Sequence, residues 1–489
     1  MIAPLNKPVL ALLASALLAG CTSNPDWKLL ENPRYGLQGT AAHTVAAIGK
    51  RPVWVQSQEE AQQAAAQTRA ILGGKVVSKD MAVRVALLNN KGLQADLAEI
   101  GISSADMWQE TKLSNPVISI GYGVNPVQRL LESTIAANIL NLITREKRVD
   151  IAEAQFRAAQ HRAANSLLRL AFDTERAWIK TVAAKESMTY LLQAQTAADA
   201  SSDLAKELGR TGAFNKAAQA REHASFAELT GQLAEARISE RESHEELTRL
   251  MGAWGADITY KLPSTLPKLP ARTNIKTAVE REALRKRVDL QIAKLELEGI
   301  ARSYKLTNAT RYVTDLGLLA GVEFAKPKQP EDGEDGTPIE VAKRIEMDIS
   351  IPIFDSGEAR LRKAEFVYMQ AANRLAEKAV NIRSEARGAY EKYKSTHELA
   401  RHYRDRVLPL RNVIKQEVLL EYNGMISSTF ELLADTRAAT NAALMSVNAK
   451  QNFWLADIDL RSVIHGGYGG GGASAGGGVS LAGEGGGGH

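Results

Sequence analysis

The sequence predicts a mainly α-helical protein with a small β-barrel contribution, built from a duplicated unit. Three observations lead there. Two stretches, 150–208 and 357–422, run for about sixty residues each with almost no Gly or Pro. The second half of the chain echoes the first. After residue 21 no apolar run approaches the roughly 20 residues a spanning helix needs. A membrane protein of that kind either rests on a lipid or spans as a closed sheet whose backbone groups are all paired.

Residues 1–20 read as a signal peptide. Lys7 supplies a basic start, 9–18 an apolar core, and Ala19-Gly20 small residues before Cys21. Cys21 is the only cysteine, which excludes structural disulfides and Cys-rich metal sites. Its thiol can take a thioether-linked lipid, so the expected covalent group is a lipid on Cys21 and the expected segment after it, 21–77, is lipid-anchored. Thr22 is not an acidic retention signal, which favours the outer membrane.

The duplication sets the remaining boundaries. Ala82-Val83 and Ala278-Val279 are offset by 196, and Leu93-Gln94 and Leu290-Gln291 by 197. The first repeat is expected over 78–252 and the second over 274–465, with a linker at 253–273. Each should run helix, strand pair, long helical hairpin. Ser78 is a candidate N-cap. Strand signals fall at 117–124 and 128–139, with Asn125-Pro126 as the turn, although Glu132 also allows the second to be helix. Their counterparts are 313–324 and 341–354, separated by a polar loop at 326–336. The stretch 346–351 alternates polar and apolar residues, which suits a wall with one wet face and one lipid face. The loop's carboxylates lack the spacing of a calcium-binding EF-hand.

The long stretches are rich in Ala and charged residues, with apolar residues such as Leu167, Leu168, Phe172, Leu191 and Leu204 at helical spacing. Such helices bury a narrow seam, as coiled coils do. Sixty residues of helix reach ~90 Å. Pro409 should bend its helix. Both helices should halt near glycine, at Gly209 to Gly212 and at Gly424, before an equally polar helix returns. Residues 466–489 are nearly all Gly, Ser and Ala and are expected as a disordered tail.

Chemistry is absent by motif. No nucleotide-binding, nucleophile-elbow or zinc-protease pattern occurs, and His397 and His402 are five apart, which does not suit adjacent helical ligands. No catalytic and no metal-ligating residue is assigned, and an enzyme is not expected. The net charge of +5 forms no basic stripe with aromatics, so nucleic acid is not an expected partner.

Several segments carry a resemblance. Ile351-Pro352-Ile353-Phe354-Asp355-Ser356-Gly357 resembles the strand-to-helix junction of the TolC-like outer-membrane efflux family. Ala283-Leu284-Arg285-Lys286-Arg287-Val288-Asp289-Leu290 resembles its Ala-Leu-x-x-Arg-Pro-Asp-Leu segment, with Val288 in place of proline. Val407-Leu408-Pro409 matches a proline the family tolerates. Tyr422-Asn423-Gly424 with Glu431-Leu432-Leu433 resembles its hairpin tip, one residue short in spacing.

The resemblance implies a homotrimer in which four strands per protomer close a twelve-stranded barrel and six hairpins form an α-barrel tunnel. It implies a passive exit duct, with a periplasmic adaptor (membrane fusion protein) and an inner-membrane transporter as partners. Lipidation favours a proton-driven pump over type I protein secretion. A periplasmic coiled-coil scaffold without channel activity is the alternative from another class. Glu431 and Asp435 are then expected to narrow the periplasmic mouth and favour cations, with Arg437 as a nearby partner. Arg210, Thr211, Gly212, Tyr422, Asn423 and Gly424 are expected to form the tips that meet the adaptor.

Overall fold

A computed structural model of the chain describes residues 29–212, 215–273, 278–327, 339–424 and 426–468. Cys21, most of the polar loop (328–338), the start of the second repeat (274–277) and the tail from residue 469 lie outside the described residues.

Two helices precede the first repeat, α1 (Leu37–Ile48) and α2 (Gln58–Leu72). The repeat begins with α3 (Lys79–Asn89) and α4 (Lys91–Glu110), then β1 (Val117–Val124) and β2 (Gln128–Asn138). The hairpin follows as α5 (Ile139–Arg210), 72 residues long, and α6 (Lys216–Met251). The second repeat has α7 (Val279–Lys286), α8 (Val288–Ala309), β3 (Leu316–Pro327) and β4 (Glu340–Ile349). Its hairpin comprises α9 (Glu358–His402), a π turn (Tyr403–Val407), α10 (Leu408–Asn423) and α11 (Thr429–His465).

The duplication is visible in backbone angles. α3 and α4 are broken by one extended residue, Asn90, at φ −64° and ψ 116°. α7 and α8 are broken by Arg287 at φ −65° and ψ 118°. The two positions are 197 apart in sequence, the offset already seen between the repeats. Each break is backed by the glycine that ends its own hairpin. Gly252 has φ +63°, and a Cβ there would come within 2.9 Å of the Asn89 carbonyl oxygen. Gly466 has φ +112°, with Val288 3.3 Å from the equivalent position. Glycine is required at both for conformation and for space.

The expected Ser78 cap forms, its hydroxyl accepting from the Met81 N–H. β2 is strand throughout, because both of its edges are paired, to β1 and to β3. That settles the ambiguity at Glu132 against helix. The fourth strand is shorter than the expected 341–354 and stops at Ile349, just before Pro352, which has no N–H for the ladder. The first long helix starts at 139 rather than 150, directly from β2, and continues through Gly209 to Arg210. At ~1.5 Å per residue α5 alone is ~110 Å long. Pro409 acts as predicted: the helix before it loosens into the π turn over Tyr403–Val407, where a backbone acceptor loses its donor.

The core is the narrow seam the composition implied. On α5 it is lined by Ala152, Ala159, Ala163, Ala164 and Ala171, with Leu167, Leu168 and Phe172 as the larger members. Small side chains let α8 and α11 approach α5 closely. The 253–273 segment is pinned along the helices by side chains that donate to its carbonyls. Trp454 Nε1 donates to Pro267 O (3.1 Å), and Lys185 Nζ donates to Leu262 O (3.0 Å). His397, buried, meets Pro270 O at 3.0 Å and packs edge-on to Phe453, a packing role rather than a ligand role.

One buried charge joins the two repeats. Glu175 on α5 is 6% exposed at its side chain and pairs with Arg461 of α11 and with Lys79 of α3, 3.2 Å away. Burial acts to raise its carboxyl, but the Arg461 and Lys79 charges outweigh that and hold it below the usual carboxylate range. Glu175→Ala would leave Arg461, one-third exposed at its side chain, with Asp457 at 3.2 Å as its remaining carboxylate partner. The expected loss is about 1–3 kcal/mol, read as a lower denaturant midpoint with an unchanged slope. An unaltered midpoint would show that the pair contributes nothing net.

Candidate functional site

The four strands form one antiparallel sheet in the order β1-β2-β3-β4. Register decides which residues share a face, because antiparallel partners point the same way. Ile118 pairs with Ile135, Tyr122 with Leu131, Ile135 with Ala320, and Ala320 with Ile345. That face therefore carries Ile118, Ile120, Tyr122, Leu131, Ile135, Leu318, Val322, Phe324, Ile345 and Met347. It is open: Ile120 is 73% exposed and Ile345 70%. No helix of the described residues is long and apolar enough to cross a membrane.

The opposite face carries Ser119, Glu132, Thr134, Glu323, Arg344, Glu346 and Asp348. Arg344 sits among the acids, 3.7 Å from Glu132 and 3.3 Å from Glu346. Glycines at 121, 123, 317 and 321 thin this polar side, and Thr134 fills the gap at Gly321. The sheet is thus apolar on one side, polar on the other, and unpaired at both edges, β1 and β4.

The junction below β4 explains its motif. Asp355 Oδ1 accepts from the Gly357 N–H (2.8 Å), and Arg311 Nε donates to Ser356 O (2.8 Å). Gly357 then enters α9 at φ +73°, against the Arg311 side chain and carbonyl. Aspartate and glycine are needed to turn a strand sharply into a helix. Ile351, Ile353 and Phe354 stay exposed beside the apolar face.

The hairpin tips lie at the far end. Thr211 ends α5, Arg210 reaches back to Glu207 (3.1 Å), and Gly212 has φ +80° with open space around it. The second helix halts at Gly424 as expected, but its turn is made differently from the first. Tyr422 and Asn423 still belong to α10, and Gly424 has φ −80°, so no left-handed glycine makes this turn. It closes through Glu421 O, which accepts from the Ile426 and Ser427 N–H groups at 2.8 and 3.3 Å.

The three residues expected at the aperture, Glu431, Asp435 and Arg437, lie on one helix but are not paired together. Glu431 is part of a helix cap: Ser428 Oγ accepts from its N–H, and Ser427 Oγ donates to its carboxylate (2.9 Å). Asp435 faces Arg411 of α10 at 3.9 Å. Arg437 pairs with neither carboxylate. It reaches across to Glu222 of α6 at 2.9 Å, where the Glu222 side chain is 4% exposed. The reason is rotation: Arg437 lies two residues beyond Asp435, about 200° around the helix, and so faces the other hairpin. A cavity of about 140 Å³ surrounds this pair, lined by Ser201, Ser225, Leu433 and Thr440 among others. Sequence reasoning missed Glu222 and Arg411, since nothing local in their segments marks them.

Among the described residues no group of three or more His, Cys, Asp or Glu could hold a metal ion. No protein-family model and no curated protein sequence matches the chain. Solved structures do. The Campylobacter jejuni CmeC outer membrane channel is 16% identical, with a TM-score of 0.66 over 80% of this chain and 86% of that one. The open state of the Neisseria gonorrhoeae MtrE outer membrane channel is 14% identical, with a TM-score of 0.65 over 79% and 88%. The Vibrio cholerae outer membrane protein VceC is 14% identical, with a TM-score of 0.64 over 84% and 99%. The fold of this chain is that of the TolC-like outer-membrane channels, long helical hairpins joined to a small strand wall.

Proposed function

We propose that the chain is the outer-membrane exit duct of a tripartite efflux system, conducting passively what an inner-membrane pump delivers. One observation carries this: a four-stranded sheet with an exposed apolar face, a charged opposite face and two unpaired edges, continuous with a helix ~110 Å long. Unpaired edges are not stable in a lipid core, since each free backbone group there costs several kcal/mol. Four strands are too few to close on themselves. Three copies, each pairing its β4 with a neighbour's β1, make a closed twelve-stranded barrel with the apolar face outward. The hairpins then line a tunnel through the periplasm, and their tips meet an adaptor through Arg210, Thr211, Gly212, Tyr422, Asn423 and Gly424. Export that persists when these tips carry bulky charged substitutions would remove the tips from that role.

The aperture proposal is refined by the pairing. Glu431 and Asp435 give the mouth its negative charge, while Arg437–Glu222 ties the second hairpin to the first. Energy comes from the partner pump, a proton-driven one on this reading. The barrel is the main anchor and a lipid on Cys21 an additional tether. A Cys21→Ala chain exported by a conventional signal peptide should therefore still form trimers in the outer membrane. Loss of all membrane association in that variant would instead make the lipid the sole anchor.

The experiment that decides the function is a planar bilayer. The purified full chain is expected to give discrete single-channel conductance steps. A silent bilayer from correctly trimeric protein would sink the duct and leave a periplasmic scaffold. Glu431→Ala with Asp435→Ala is expected to reduce cation preference; unchanged conductance and selectivity would remove both residues from the aperture.

A further inference from the structure

Charge on the strands is segregated by face. Every acidic strand residue, Glu132, Glu323, Glu340, Glu346 and Asp348, lies on the polar face. Of the four basic strand residues only Arg344 joins them. Arg129, Lys326 and Lys343 are all exposed on the apolar face, which holds no carboxylate. Arg129 and Lys326 are direct cross-strand partners. Like charges opposite each other destabilise a sheet, so pairing energy does not explain them.

Their height does. α5 leaves β2 at Asn138 and α8 enters β3 at Leu316, whereas Arg129 and Lys326 lie at the other ends of those strands, beside the 125–127 turn. Ten residue steps from Leu316 to Lys326 span ~34 Å along the strand, or ~24 Å of height at a 45° tilt. The apolar band of an outer-membrane barrel is ~25 Å tall. The pair therefore sits at the headgroup level of the leaflet remote from the helices. Lys343, opposite Val322, lies four residue steps lower, ~14 Å along the strand, beyond the reach of its stem to that level. β2 and β3 are the central strands, so a neighbouring copy joined at β1 or β4 leaves this surface to lipid.

We infer that Arg129 and Lys326 bind the phosphate of an anionic lipid headgroup in the distal leaflet. Two cations flanking one phosphate convert their mutual repulsion into attraction, and the guanidinium offers a fork that matches phosphate oxygens. The inference rests on the barrel reading above.

The test uses the full-length protein in detergent, incubated with bisphosphorylated lipid A, dephosphorylated lipid A or phosphatidylcholine, with retained lipid counted by native mass spectrometry. The wild type is expected to retain the bisphosphorylated form, and removing its phosphates to abolish the preference. R129Q/K326Q should retain about thirtyfold less, from two headgroup-level charges, while Arg129→Lys should keep most of the binding. Should the double variant fail to form trimers, Arg129→Gln and Lys326→Gln singly should each lose about fivefold. Equal retention by variant and wild type overturns the inference. So does a large gain when Glu331, Asp332, Glu334 and Asp335 are neutralised, since the chain's own loop would then be the counter-ion. A protein that conducts but shows no charge-dependent retention loses only this inference. One that neither trimerises nor conducts loses the channel reading itself.

Discussion

Ala320→Arg is expected to keep the protein out of the outer membrane, while Leu319→Arg, one residue earlier, is expected to leave it there. Ala320 lies midway along β3, between Ile135 and Ile345 on the apolar face. An arginine at the bilayer midplane of a barrel costs about 2–4 kcal/mol, and three copies multiply that cost in a single assembly. Leu319 points to the opposite face, paired with Ala136 and with Glu346. There an arginine meets water and an acid. The measurement is membrane fractionation with trimer detection on gels, followed by single-channel recording of whichever variant assembles. Leu319→Arg should conduct with reduced cation preference. Equal insertion of both variants would mean that neither face meets lipid, and the barrel reading would fall.

Arg437→Ala is expected to raise conductance at rest. The ion pair it breaks is one-sided: Glu222 is sealed within the seam, whereas Arg437 is 42% exposed at its side chain. Removing the arginine leaves a buried carboxylate without its cation, in a cavity whose other lining side chains include Ser201, Ser225, Gln232 and Thr440. Discounting for the exposed partner, the seam between the hairpins should weaken by about 1–3 kcal/mol. That is enough to shift a closed tip towards an open one by one to two orders of magnitude. Glu222→Gln should give a smaller rise, because the amide keeps a hydrogen bond to the guanidinium. Asp435→Ala should leave resting conductance nearly unchanged, because its pair with Arg411 is long and lies within a single hairpin. If Arg437→Ala and Glu222→Gln conduct like the wild type, the contact is packing and not a latch.

What could be read early, and what could not, follows from the range of each interaction. The repeat offset of 196–197 anticipated the paired breaks at Asn90 and Arg287 because both depend on short segments that copy each other. Pro409 announced the loosened turn before it, since a missing N–H acts within one helical turn. β2 was ambiguous because Glu132 is unfavourable in an isolated apolar strand; only its place between β1 and β3, facing the polar side with Arg344, makes it acceptable. Arg437 was expected beside Glu431 and Asp435, but its partner is Glu222 on the other hairpin. Helical phase separates Arg437 from Asp435 by about half a turn, and its true partner is 215 residues away in sequence.

The sequence by itself determined the class of this protein: long seam-packed helices, short alternating strands, no spanning helix, and a duplicated order. Those are properties of periodicity and composition, carried by each segment alone. Only the tertiary structure decided the two surfaces on which the channel proposal rests. Strand register sorted the charges, sending every strand carboxylate to one face and Arg129, Lys326 and Lys343 to the other. Packing between hairpins gave Glu222 its arginine. Both are long-range pairings, and because side chains alternate with a period of two, a slip of one residue in register would have exchanged the faces entirely.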